Sequence, residues 1–149
     1  MGSEDEKPEL IAMVMHQRAK DTLNEIKMQY PLVTIDAQLS HGRGIITLYQ
    51  DRFVLSKEFV ETAESLDSPQ RMAEYRRILR GKARLVLVVP KIQAVSVRMR
   101  LLDFNNWWLF YYQVFFYDEK GNIKRVDRKT WCELMGQSYE APSRAPEIV

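Results

Sequence analysis

Residues 51–61, DRFVLSKEFVE, bring Asp51, Lys57, Glu58 and Glu61 into one short stretch. Carboxylates are the ligands a hard ion such as Mg²⁺ prefers. Divalent-ion binding is therefore one chemistry such a stretch could carry. It requires the acids to converge. Side chains alternate along a strand, so 53–61 sends Phe53, Leu55, Lys57, Phe59 and Glu61 to one face. Val54, Ser56, Glu58 and Val60 go to the other. Lys57 and Glu61 then share a face with Phe59 between them, and phenylalanine cannot ligate a metal. Glu58 points the opposite way.

A second constellation is basic. Arg71, Arg76, Arg77, Arg80, Lys82 and Arg84 stand against Glu74 alone. Guanidinium groups bind phosphate through paired hydrogen bonds, so this cluster can track a DNA or RNA backbone with salt-dependent affinity. The plainer reading is a solvated helix face, with arginines favoured near a helix C-terminus. A further group comprises Lys120, Lys124, Arg125, Arg128 and Lys129, followed by Trp131. It can hold a single strand by charge plus stacking, or simply protect an edge strand from aggregation.

Other chemistries lack their residues. His16 and His41 are the only histidines and Cys132 the only cysteine, which excludes a Cys/His metal cluster and any intrachain disulfide. No nucleophile-elbow motif accompanies His41, and His41-Gly42-Arg43-Gly44 lacks the lysine and spacing of a phosphate loop. No cofactor is implied, save Mg²⁺ if the carboxylates around Lys57 form a nuclease site.

The elements that must position these groups fit one domain. At 149 residues with 46% hydrophobic and 28% charged residues, the chain can bury a core without disulfides or metal. The acidic start MGSEDEKPEL is neither a secretory signal nor a transit peptide, and a lone cysteine suits a reducing, cytoplasmic compartment. The most apolar run, 104–117, falls short of the roughly 20 residues a membrane-spanning helix needs. Charge is split: residues 1–66 carry 7 Lys/Arg and 11 Asp/Glu, net −4, and residues 67–149 carry 15 and 9, net +6. That asymmetry is a hint about partners.

Residues 1–7 and 138–149 read as tails around a single α/β domain at 8–137. Pro8 opens a helix over 8–30 with Ile11, Met15, Ala19, Thr22, Ile26 and Tyr30 on one face. Strands follow at 32–39, 45–50 and 53–61, the first two joined by a turn at 40–44. Ser68 and Pro69 start a second helix with Met72, Tyr75, Ile78 and Leu79 inside, and Gly81 stops it. RLVLVVP, 84–90, reads as a central strand covered on both faces. A helix over 91–103 carries Ile92, Val95, Met99 and Leu102 on one side. The aromatic strand 107–117 has too many rings for one small face. Both faces must be covered, by helices or by a second copy in a homodimer. A turn at 118–122 leads to a return strand, 123–128.

This order, αβββαβαβ, resembles the restriction-endonuclease-like (PD-(D/E)xK) superfamily. The likeness is carried by FVLSKEFVETAESLDSPQRMAEYRRILRGKARLVLVVP, 53–90: a charged strand, a basic helix with a tyrosine, then an apolar strand. It extends over about residues 10–117. The resemblance implies a mixed sheet between helices. It also implies an Asp near the start of the second strand and an acid two residues before a lysine on the third. Here the aligned third-strand positions are Phe59 and Glu61, and the second strand begins HGRGII with no Asp. The resemblance therefore implies a nucleic-acid binder on a scaffold whose nuclease site has degenerated. The alternatives are a migrated site built from Asp51, Lys57, Glu58 and Glu61, or an assembly module.

Overall fold

A computed structural model describes residues 8–104 and 112–138. Helix α1 (Pro8–Ile26) leads into a meander of β1 (Thr34–Ser40), β2 (Arg43–Gln50) and β3 (Phe53–Val60). Short α2 (Ala63–Leu66) and α3 (Arg71–Arg80) precede β4 (Arg84–Pro90). One 3-10 turn (Lys91–Gln93) enters α4 (Ala94–Leu101). Then come β5 (Tyr112–Tyr117), β6 (Ile123–Arg125) and α5 (Arg128–Leu134). The six strands lie in sequence order in one sheet. β1–β2, β2–β3 and β5–β6 pair antiparallel; β3–β4 and β4–β5 pair parallel. The expected mixed α/β architecture is what the chain adopts. Among the described residues, no helix is long and apolar enough to cross a membrane.

Two cores sandwich the sheet. On one face, α1 covers β2, β3 and β4 through Ile11, Val14, Met15, Ile46, Leu48, Val86 and Val88. On the other, α2 to α5 cover Phe59, Leu85, Leu87, Val114 and Phe116. β4 is buried on both sides, which its unbroken apolar run requires. β5 alternates as its pattern predicts: Tyr112, Val114 and Phe116 join one core, Phe115 and Tyr117 the other. Within Tyr112–Tyr117 the aromatic strand lies inside the sheet, paired with β4 on one side and β6 on the other. Residues 107–111, the expected tail at 1–7, and all but Ser138 of the expected tail at 138–149 lie outside the described residues.

Several expectations are corrected. α1 stops at Ile26, and its buried stripe includes Val14 and Arg18, leaving Tyr30 exposed. β2 begins at Arg43, because His41 and Gly42 alone make the hairpin turn with φ of 52° and 78°. Those angles define a type I′ turn, whose second position suits glycine. Residues 63–66 form an unexpected helix held by a reciprocal cap between Thr62 and Ser65. The next helix starts at Arg71, and Ser68-Pro69-Gln70 form the approach to it. After Gly81 the left-handed position is Lys82, φ 63°. α4 turns the opposite side inward: Ala94, Val97 and Leu101 are buried, whereas Ile92 is 86% and Met99 49% exposed. The return strand ends at Arg125, and α5 carries Trp131 against the core instead of presenting it to solvent.

Candidate functional site

Glu58 in β3 and Glu61 just past its end have no solvent exposure and aim at opposite faces of the sheet. A register shift opposite Leu48/Tyr49 makes Leu55 an extra residue in β3. Leu55 therefore joins the α1-side core, contrary to strict alternation, while Lys57, Phe59 and Glu61 keep the α3 side.

On the α1 side, Glu58 Oε1 accepts from Arg18 Nε at 2.8 Å, and Glu58 Oε2 from Thr22 Oγ1 at 2.5 Å and Arg84 Nη2 at 3.1 Å. The Arg18 guanidinium lies 4.3 Å from the centre of the Phe115 ring. This cluster fastens α1 to β3, β4 and β5. Glu58 is fully committed and faces away from Lys57.

On the other side, Arg43 at the start of β2 reaches across the strand end to Glu61. Its Nε meets Oε1 at 2.8 Å and its Nη2 meets Oε2 at 2.6 Å. Its Nη1 pairs with Glu74 of α3 at 3.0 Å, and the guanidinium stacks 4.3 Å over the Phe59 ring. Glu61 also accepts from Ser65 Oγ at 2.9 Å and from the Tyr75 hydroxyl. Arg71 closes the ring through Glu74 at 3.2 Å and the Ser65 carbonyl at 2.7 Å. The Tyr117 hydroxyl donates to the Glu61 carbonyl at 2.8 Å. Burial works against the Arg43 charge, but its bond to Glu61 and the charges of Glu61 and Glu74 outweigh this and raise its pKa above the ordinary arginine value. Burial, then the charge and bond of Glu61, push the Tyr75 phenol far up, so it remains a donor.

A cleft of about 380 Å³ opens beside this cluster, lined by His41, Gly42, Thr62, Ser65, Ser68 and Arg71. A larger cleft of about 940 Å³ lies past the ends of β4 and β5, walled mainly by Pro90, Ile92, Val95, Tyr117 and Leu134. It is mostly apolar and holds none of the converging acids and arginines.

Asp51 sits in the β2–β3 turn with φ 55°, at the opposite end of β3 from Glu61. Asp51, Lys57, Glu58 and Glu61 are thus not gathered into one site, and Lys57 pairs with no carboxylate among the described residues. Nor do any three His, Cys, Asp or Glu side chains among the described residues stand as a metal cage. Of the expected phosphate binders, Arg71 and Arg84 are drawn into internal ion pairs. Arg76 lies exposed, 5.1 Å over Phe104. Arg77, Arg80 and Lys82 are exposed, as are Arg125 and Arg128, while Lys124 approaches Glu133 at 3.6 Å. Arg18 and Ser65 were not singled out by the sequence, Arg43 was noted only within HGRG, and Glu74 only as the acid among the arginines of the second helix. The arginine in HGRGII, at a position expected to hold an acid, was the available signal. Arg98 and Arg100 of α4 also join the exposed or half-exposed basic surface. No family model, curated protein or solved structure matches the chain.

Proposed function

We propose that this chain binds a nucleic-acid backbone on a nuclease-like scaffold in which catalysis has been lost. The carrying observation is how the arginines divide. Arg18, Arg43, Arg71 and Arg84 face inward and pair with carboxylates. Among the described residues, Arg76, Arg77, Arg80 and Arg100 pair with none and are exposed on α3 and α4, which cover the same side of the sheet. A basic surface without internal counter-charges suits a polyanion.

Loss of catalysis is supported at the β2–β3 end. Where the nuclease-like pattern calls for an acid, Arg43 supplies a cation and holds both Glu61 and Glu74. Those carboxylates are neutralised by the chain itself, leaving a divalent ion little charge to meet.

Fluorescence anisotropy with labelled single- and double-stranded DNA and RNA tests the binding. Neutralising four phosphates gives a slope of about −3.6 in log K against log salt for duplex DNA. Affinity then falls on the order of 150-fold between about 50 and about 200 mM. R77A/R80A roughly halves that slope. Absence of binding to every probe at low salt, or Mg²⁺-dependent cleavage by the wild type, overturns the proposal.

A further inference from the structure

The two edges of the sheet are unlike. β6 is three residues long and carries Lys124 and Arg125. Short length and cationic side chains are common ways of blocking edge-to-edge pairing. β1 reads TIDAQLS over seven residues, with no lysine, no proline and no irregularity in its pairing to β2. Among the described residues nothing pairs with its outer edge.

The turn fixes which backbone groups face outward. His41 and Gly42 form a two-residue type I′ loop, so the flanking Ser40 and Arg43 exchange both backbone hydrogen bonds. Alternation then gives Gln38–Ile45, Asp36–Thr47 and Thr34–Tyr49 the remaining bonded pairs. The N–H and C=O groups of Ile35, Ala37 and Leu39 consequently point away from β2, along the open edge.

The side chains are self-complementary about Ala37. An antiparallel second copy centred there sets Ile35 opposite Leu39, Asp36 opposite Gln38 and Thr34 opposite Ser40. Apolar meets apolar, and no charge directly faces its like, the two Asp36 residues lying on a diagonal of about 7–8 Å. Leu39, 48% exposed in the single chain, gains a cover from Ile35 of the second copy.

We propose that the chain forms a two-fold homodimer through β1, with Ala37 against Ala37 and a continuous sheet crossing the axis. The outward groups of Ile35, Ala37 and Leu39 supply the new hydrogen bonds. This assembly does not depend on nucleic-acid binding. The axis is perpendicular to the sheet, so the α3 surfaces of both copies fall on one side.

Light scattering at micromolar concentration tests it. The wild type should run at twice the 17.6 kDa chain mass. Ala37→Pro removes an N–H that β2 does not use, and Ala37→Lys places like charges face to face. Both should be monomeric, with circular dichroism spectra unchanged. In a Cys132→Ser background, Ala37→Cys should form an interchain disulfide on mild oxidation. A facing bonded pair sits about 5.5 Å apart at Cα, within disulfide range. Thr34→Cys should not, since six positions of offset separate the two copies by about 20 Å. A monomeric wild type, dimeric folded A37P and A37K, or cross-linking at Thr34 and not Ala37 would refute the assignment.

Discussion

Replacing Arg43 with alanine should be among the most damaging single substitutions in the chain. Glu61 has no solvent exposure, and Arg43 supplies its counter-charge through bonds of 2.8 and 2.6 Å. Ser65 and Tyr75 remain as donors after the change, but both are neutral. Removing one partner of a buried ion pair costs about 3–5 kcal/mol, because a charge is left desolvated and uncompensated. For a domain of this size that corresponds to a fall in Tm of roughly 10 °C. Urea denaturation should show a lower midpoint with an unchanged slope. The companion variants isolate the cause. If the stranded charge does the damage, R43A/E61Q should lie closer to the wild type than R43A alone. R84A should cost only about 1–2 kcal/mol, since Glu58 keeps Arg18 and Thr22 and Arg84 is partly exposed. An R43A variant within about 1 kcal/mol of the wild type, or a double variant worse than R43A, would refute the account of a buried, arginine-held carboxylate.

Other outcomes follow from the same geometry. Millimolar Mg²⁺ or Mn²⁺ should leave the wild-type Tm unchanged in a thermal-shift assay, because Arg43 already holds Glu61 and Glu74. Asp127 caps α5 by accepting from the Thr130 N–H at 2.8 Å. That bond lowers its carboxyl pKa, with Lys124 and Arg125 assisting. Asp127→Ala should cost about 1 kcal/mol at neutral pH, measured by urea denaturation. A depressed carboxyl contributes above its unfolded pKa of about 3.9 and loses that contribution as pH falls through the folded value. The gap between wild type and D127A should therefore narrow below about pH 4. Arg76→Ala should weaken polyanion affinity by anisotropy while changing Tm little, because Arg76 is exposed and its contact with the buried Phe104 ring is worth only about 0.5–1 kcal/mol.

The parts of the fold written in short-range pattern were legible. The apolar run 84–90, the alternating aromatics of 112–117 and the meander across 34–60 all lie where period and turn chemistry put them. The failures share a physical cause. Periodicity ranks residues by apparent hydrophobicity, but beside the expected Thr22 α1 also buries Arg18, whose polar end meets a glutamate forty positions away. α4 shows the converse: small Ala94 and Val97 face the packed layer, and the larger Ile92 and Met99 are left outside. At the candidate site, the pattern of β3 located Glu61 and separated it from Glu58. It could not reveal that Arg43, eighteen residues earlier, is its partner, because that pairing arises only when β2 folds back on β3. The extra residue at Leu55 was likewise invisible, since a bulge is fixed by the neighbouring strand.

The glutamates on either side of β3 act as rivets driven through the sheet in opposite directions. One clamps the single helix behind it, the other, through Ser65 and Tyr75, the helical layer in front. The same oxygens hold both layers to the sheet. Placing an acid at residue 43 would therefore leave a wall of the sandwich unfastened and loosen the protein.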